Sequence, residues 1–169
     1  RLRLRLENGY SLAYDNQRLL GRVFLAPDRE RFIEEQELGP DALSLDFERF
    51  ASILKRGRGA VKSTLMNQKM LAGLGNIYTD EILFQARVHP KASVGSLGAE
   101  RLRAGYEQMR AVLEKSIEIQ ADPARMPESY LLPRREQDGP CPRCGGRVRK
   151  ITLSGRATYL CPACQGEPG

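Results

Sequence analysis

Cys141-Pro-Arg143-Cys144-Gly-Gly-Arg147-Val-Arg149-Lys150-Ile-Thr-Leu153-Ser-Gly155-Arg156-Ala-Thr-Tyr-Leu160-Cys161-Pro-Ala-Cys164 holds all four cysteines of the 169-residue chain. They form two C-x-x-C pairs separated by residues 145–160, the spacing of a zinc ribbon. Each pair places two thiolates about 3.8 Å apart on one edge of a tetrahedron, and two such edges close a four-thiolate site that is structural rather than catalytic. Between the pairs, Arg147 to Leu153 largely alternates polar and apolar, Ser154-Gly155 turns, and Arg156 to Leu160 returns. A metal at Cys141, Cys144, Cys161 and Cys164 would pin both ends of a hairpin too short to hold itself together.

The ribbon is basic. Arg143, Arg147, Arg149, Lys150 and Arg156 lie between the outer cysteines with no Asp or Glu among them. Two readings stand side by side: a knob that only holds a fold together, or a metal-stiffened ribbon that carries arginine to a phosphate backbone. A disulfide pair is the weaker alternative, because nothing resembles a signal peptide and paired C-x-x-C units favour metal.

Outward from the ribbon, the whole chain carries a net charge of +6 and no Trp. No apolar run approaches the roughly 18 residues of a membrane helix, which excludes a transmembrane helix. A basic chain of this kind points to an anionic partner, nucleic acid by default. The charge is uneven. Residues 28–48 hold eight acids against two arginines, whereas residues 49–79 hold six bases (Arg49, Lys55, Arg56, Arg58, Lys62, Lys69) and no acid. One basic surface follows, with the acidic stretch facing elsewhere.

At the front, Arg1-Leu-Arg-Leu-Arg-Leu6 alternates strictly, Glu7-Asn-Gly9 turns, Tyr10 to Tyr14 returns, and a third strand is expected over Leu19 to Leu25. The leucine face needs a cover, so the chain is expected to begin inside a sheet whose other strands lie upstream. An acidic connector follows. Helices are expected over Asp46 to Leu54, Lys62 to Lys69, Ile77 to Ala86 and Ala99 to Ile119. The last carries the stripe Leu102, Tyr106, Met109, Leu113 and Ile117. Gly73-Leu-Gly75-Asn76 heads the third helix. Its bare backbone N–H groups and helix dipole suit a phosphate, with Lys62 upstream; alternatively the two glycines only make a tight helix–helix turn. His89, the single histidine, precedes Pro90 and reads as structural.

Lys62-Ser-Thr-Leu-Met-Asn-Gln-Lys-Met-Leu-Ala-Gly73-Leu-Gly75-Asn76-Ile-Tyr78-Thr-Asp80-Glu81-Ile-Leu and Val88-His89-Pro90 resemble the helix–two-turn–helix domain of the formamidopyrimidine-DNA glycosylase/endonuclease VIII family. Gly155-Arg156-Ala-Thr-Tyr-Leu-Cys161-Pro-Ala-Cys164-Gln165 resembles that family's zinc finger, and the two motifs stand in the family's order. The resemblance implies a base-excision enzyme that flips an oxidised base out of duplex DNA. It further implies an N-terminal proline amine as Schiff-base nucleophile and a following glutamate in acid–base chemistry. Neither is in these 169 residues, so no catalytic residue is expected here, and the chain itself is expected to bind DNA without catalysis. By resemblance Lys62, Gly75, Asn76 and Arg156 bind DNA phosphates, and Cys141, Cys144, Cys161 and Cys164 hold one structural Zn2+.

Two departures weaken any assignment to 8-oxoguanine. Where the oxidised-purine enzymes place an Arg and a Phe that fill the gap left by the flipped base, this chain has Arg18 and Leu20; Leu20 reads equally well as sheet core. The segment from Ala121 to Pro140 also lacks the family's glycine-rich lesion-capping loop.

The expected fold is mainly α with small β elements: a helix–two-turn–helix bundle, a four-cysteine zinc-ribbon hairpin and remnant strands of a β-sandwich. The expected divisions are remnant strands over 1–27, a connector over 28–44, the helix–two-turn–helix domain over 45–120, a linker over 121–139 and the zinc finger over 140–166. The expected partner is damaged double-stranded DNA, bound by a monomer with no membrane association in the bacterial cytoplasm, at the nucleoid. The competing reading is a non-catalytic nucleic-acid-binding module built from the same two motifs.

Overall fold

The computed structural model describes residues 2–16 and 21–167. The chain divides into two compact units, residues 1–32 and residues 33–169. In the first, strands β1 (Leu2–Arg5) and β2 (Ser11–Tyr14) pair antiparallel with Leu2 opposite Tyr14 and Leu4 opposite Leu12. Gly9 takes φ +83° in the connecting turn, a conformation that only glycine adopts without strain. The alternation of the sequence thus becomes one apolar face of Leu2, Leu4, Leu12 and Tyr14, which with Val23, Phe24 and Phe32 lines a concavity of about 370 Å³. The third strand expected over Leu19 to Leu25 is not formed by residues 21–25, which run without strand pairing; Leu19 lies outside the described residues. The acidic connector holds a helix that the sequence reading missed, α1 (Arg29–Glu35), started by the Asp28 carboxylate accepting from Arg31 N–H at 2.7 Å.

In the second unit, α2 (Phe47–Arg56) begins at Asp46, whose carboxylate accepts from Arg49 N–H, and buries Phe50, Ala51, Ile53 and Leu54. α3 (Val61–Leu65) is shorter than the Lys62 to Lys69 expected. The chain leaves it in a turn in which Asn67 Oδ1 accepts from Lys69 N–H and Asn67 O accepts from the N–H groups of Met70 and Leu71. Asn competes with the helix by such local bonds. α4 (Asn76–Gln85) and α5 (Ala99–Glu118) pack together, α5 also on α2 and α4 on α3, around Phe50, Leu54, Leu65, Leu83 and Met109. The expected stripe on α5 holds at Leu102, Tyr106, Met109 and Leu113, which lie in the core or pack against it, and departs at Ile117. Leu102, Met109, Val112 and Ser116 are buried, whereas Ile117 is 65% exposed. The Ser116 hydroxyl donates to Tyr78 Oη at 2.5 Å, which turns this face toward α4.

Two 3₁₀ turns, Pro123–Arg125 and Leu132–Arg134, structure the segment after α5. The chain ends in the hairpin β3 (Arg149–Leu153) and β4 (Arg156–Leu160), antiparallel with Leu153 opposite Arg156, and the short helix α6 (Pro162–Gln165). Ser154 and Gly155 both have positive φ, 49° and 72°, the geometry of a two-residue hairpin turn. The ribbon has a small core of its own in which Phe84 and Leu131 meet Cys141, Val148 and Cys161.

Candidate nucleic-acid interface

The four cysteine sulfurs converge within 4.8 Å of one another, with Cys141 Sγ 3.8 Å from Cys164 Sγ and Cys144 Sγ 3.6 Å from Cys161 Sγ. Thiolates at about 2.3 Å from a tetrahedral zinc stand roughly 3.8 Å apart, so the set fits one such ion. The N–H of Gly146 lowers the Cys144 thiol to about 7, toward the thiolate a metal needs, while burial raises Cys161 and Cys164. When bound, the ion fixes four points of the ribbon and leaves no open position for a reactant.

The ribbon is seated along α4, from one end of that helix to the other. At the C-terminal end, the Arg143 guanidinium donates to Phe84 O at 3.0 Å and to Gln85 Oε1 at 2.8 Å, and lies over the Phe84 ring at 4.6 Å. A cation on the last carbonyls of a helix is favourable. The Gln165 amide donates to Val88 O and accepts from Cys161 N–H, both at 2.9 Å. At the N-terminal end, Asn76 Nδ2 donates to Ala157 O at 2.9 Å, and the Ser63 and Ser154 hydroxyls lie 2.8 Å apart.

Between these ends sits a buried ionic knot. Lys62 is 1% exposed, and its ammonium donates to Asp80 Oδ1 at 2.6 Å and Thr158 Oγ1 at 2.7 Å. Asp80 Oδ2 accepts from Arg135 Nη2 at 2.8 Å, Arg135 Nε at 3.1 Å and Tyr159 N–H at 3.1 Å. The Arg135 guanidinium also covers the Tyr159 ring at 4.4 Å. One carboxylate on α4 thereby joins α3, the linker and β4. Burial lowers the pKa of Lys62, and its bond to Asp80 pulls it back up. Glu81 does the same for the linker: its carboxylate accepts from Leu131 N–H at 3.1 Å, Leu132 N–H at 2.6 Å and Gln85 Nε2 at 2.8 Å. Burial nevertheless raises its pKa.

This seating brings β4 beside the start of α4. Met66, Gln68, Gly73, Leu74, Gly75, Asn76 and Arg156 line one cleft of about 320 Å³. Gly73 takes φ +95°, and the Gln68 side chain holds the turn by accepting from Gly73 N–H at 3.1 Å and donating to Leu74 O at 2.8 Å. Gly75 is the N-cap of α4 and supplies no side-chain cap, and a Cβ built on it would meet nothing within 4 Å. The first N–H groups of α4 therefore face the cleft, with the positive end of the helix behind them. Arg156 is exposed and forms no ion pair among the described residues. Asn76 Oδ1 is buried without a hydrogen-bond partner, an open acceptor at this junction.

Of the residues singled out in the sequence, Gly75, Asn76 and Arg156 share this cleft and the four cysteines form the metal site. Lys62 is different. Expected on a phosphate, its ammonium instead lies sealed between Asp80 and Thr158, with no open face toward an anion. Arg18 and Leu20 lie outside the described residues. His89 accepts from Lys91 N–H at 3.1 Å in the turn after α4, as a structural residue would. Sequence reasoning gave no role to Asp80, Glu81, Arg135, Gln68 and Gln165, and it counted Arg143 only among the cations of the ribbon, whereas its guanidinium caps α4. A signal existed for the first two, adjacent acids that run directly into the apolar stretch Ile82, Leu83 and Phe84. The partners of the others are set only by the tertiary fold.

Comparison with known proteins agrees with this architecture. A family model for the formamidopyrimidine-DNA glycosylase H2TH domain matches residues 38–127, and one for the zinc finger found in FPG and IleRS matches residues 139–166. Among curated relatives, the formamidopyrimidine-DNA glycosylase of Protochlamydia amoebophila is 34% identical over 98% of this chain and 65% of its own length. That of Herpetosiphon aurantiacus is 37% identical over 95% of this chain and 63% of its own length. The chain thus spans somewhat under two thirds of these relatives. Among solved structures, Lactococcus lactis Fpg in complex with DNA containing an abasic site superposes with a TM-score of 0.70 at 27% identity, over 82% of this chain and 55% of that one. MutM in complex with DNA containing carbocyclic 8-oxo-G gives 0.70 at 27%, over 82% and 54%. With a zinc-finger match over its four-cysteine site and an H2TH match over more than half its length, the chain belongs to the formamidopyrimidine-DNA glycosylase family.

Proposed function

We propose that this chain is the DNA-gripping part of a base-excision glycosylase/AP lyase that removes oxidised bases from duplex DNA. The observation that carries the reading is the shared cleft of the α4 N-terminus and Arg156. Free backbone N–H groups and a helix dipole receive one phosphate, and the guanidinium approaches the same strand from the ribbon with forked, charge-assisted bonds. Gly75 allows the backbone approach, and Asn76 ties the helix start to the hairpin through Ala157 O while its second amide N–H remains for the phosphate. Lys62 acts from behind, by holding β4 in register. The zinc keeps the ribbon rigid enough for Arg156 to be held out rather than to collapse. The protein works as a monomer on damaged double-stranded DNA, in the bacterial cytoplasm.

The polypeptide 1–169 is expected to bind a duplex with a central abasic site more tightly than the intact duplex, read by fluorescence anisotropy. It is expected to give no covalent adduct on borohydride reduction, because the family's proline nucleophile is not among these residues. Equal, weak affinity for both duplexes would argue for a general nucleic-acid module instead, and a trapped adduct would overturn the expectation that residues 1–169 bind DNA without catalysis.

A further inference from the structure

A second basic groove borders the cleft. Arg49, Ile53 and Arg56 stand on one face of α2 at i, i+4 and i+7, and with Pro40, Lys69 and Met70 they line a concavity of about 260 Å³. All three cations are exposed. The Arg56 guanidinium meets only the Ser52 hydroxyl at 3.3 Å, and neither arginine forms an ion pair with a carboxylate among the described residues. Lys69 pairs with Glu37, but both side chains are about two-thirds exposed, so the pair is weak and readily exchanged for a stronger anion.

What separates the groove from the cleft is a single ridge of chain. Met66 and Gln68 face the cleft, whereas Lys69 and Met70 face the groove. The ridge is stiff. Gly39 N–H donates to Gln68 O at 2.8 Å, Ala72 N–H to Pro40 O at 3.0 Å, and a Cβ on Gly39 would fall 2.6 Å from the Met70 carbonyl carbon, so the two segments lie in direct backbone contact. From Gln68 to Met70 the chain spans at most about 8 Å. A DNA strand advances about 3.4 Å per phosphate along its axis, so a strand crossing this ridge carries two or three phosphates from one depression into the next.

We propose that the Arg49–Arg56–Lys69 groove is a second phosphodiester site, which takes the phosphates flanking the one held at the α4 N-terminus. The proposal rests on the DNA-gripping reading above and extends it from one phosphate to a track. The apolar floor of Ile53, Met70 and Pro40 suits the deoxyribose between charged groups, while the flexible cations on the rim meet the phosphates. Such contacts position the duplex and carry no sequence information.

The test is the salt dependence of binding to an abasic duplex for three proteins: the wild-type chain, Arg49→Ala/Arg56→Ala, and Arg156→Ala. Each lost phosphate contact lowers the magnitude of the log–log slope by about 0.9. The groove variant is expected to lose nearly two units and Arg156→Ala nearly one. Truncating the duplex on one side of the lesion should abolish the effect of the groove variant and spare that of Arg156→Ala. If Arg156→Ala lowers the slope but Arg49→Ala/Arg56→Ala leaves it unchanged, the groove is off the DNA and the primary reading survives. If neither changes it, both fall. Both groove residues are exposed, so circular dichroism of the variants should match the wild type.

Discussion

At the scale of single residues, two charges at the junction of ribbon and helices have opposite duties. Arg156 is exposed and in the proposed interface contributes to binding: Arg156→Ala should weaken affinity for an abasic duplex by about 1–3 kcal/mol, the range of one charge-assisted contact. Competition titrations at fixed salt measure this, and an unchanged affinity would remove Arg156 from the interface. Asp80 is 1% exposed and satisfies Lys62, Arg135 and Tyr159 together, so its contribution is to stability. Asp80→Ala should cost about 3–5 kcal/mol in urea denaturation by leaving the Lys62 ammonium buried and unpaired. Lys62→Met added to it should restore part of the loss, because the orphaned charge is then gone. A cost below about 1 kcal/mol for Asp80→Ala would mean that the knot is not formed. That Arg156, Asn76 and Gly75 share one cleft was legible in part, because exposed cations and glycine turns are local signals. The sequence reading misplaced Lys62 because a lysine in a basic run looks solvated until its buried partner, 18 residues on, is known.

At the scale of elements, the ribbon and the helical bundle have separate cores, one around Phe84, Leu131, Val148 and the cysteines, the other around Phe50, Leu65, Leu83 and Met109. Removing zinc should therefore unfold the β3–β4 hairpin while α2 to α5 persist. Far-UV circular dichroism with and without chelator should retain the helical bands, and a loss of helicity in step with the metal would contradict two cores. The linker supplies a pH dependence. Because the pKa of Glu81 is raised by burial above its ordinary 4.5, the folded state holds its proton more tightly than the unfolded chain does. Its contribution to stability is full below pH 4.5 and declines as the pH rises through the raised value. Denaturation midpoints of the wild type relative to Glu81→Gln should fall over that interval, and a relative midpoint that rises with pH would reverse the sign argued here. The hairpin, α2, α4 and α5 were legible because cysteine spacing, an Asp cap and apolar periodicity are local signals. The turn of the end of α5 toward Ser116 and the ordering of the linker on Glu81 were not, since each depends on a partner from another element, and α3 stops early because Asn67 bonds locally to Lys69, Met70 and Leu71 instead of continuing the helix.

At the scale of the whole molecule, the acid-free stretch of residues 49–79 holds both the cleft and the adjoining groove, and the ribbon contributes its arginine on top. The two motifs lie far apart in sequence, and the fold joins them through α4. The central claim is that Arg156 and the start of α4 hold one phosphate strand together. Replacing single phosphates of an abasic duplex by neutral methylphosphonates, one position at a time, tests it against both the wild type and Arg156→Ala. The account predicts a position whose neutralisation weakens the wild type but has little further effect on Arg156→Ala, since both changes delete one contact. Losses that simply add at every position near the lesion would show that Arg156 touches no phosphate there, and would contradict it.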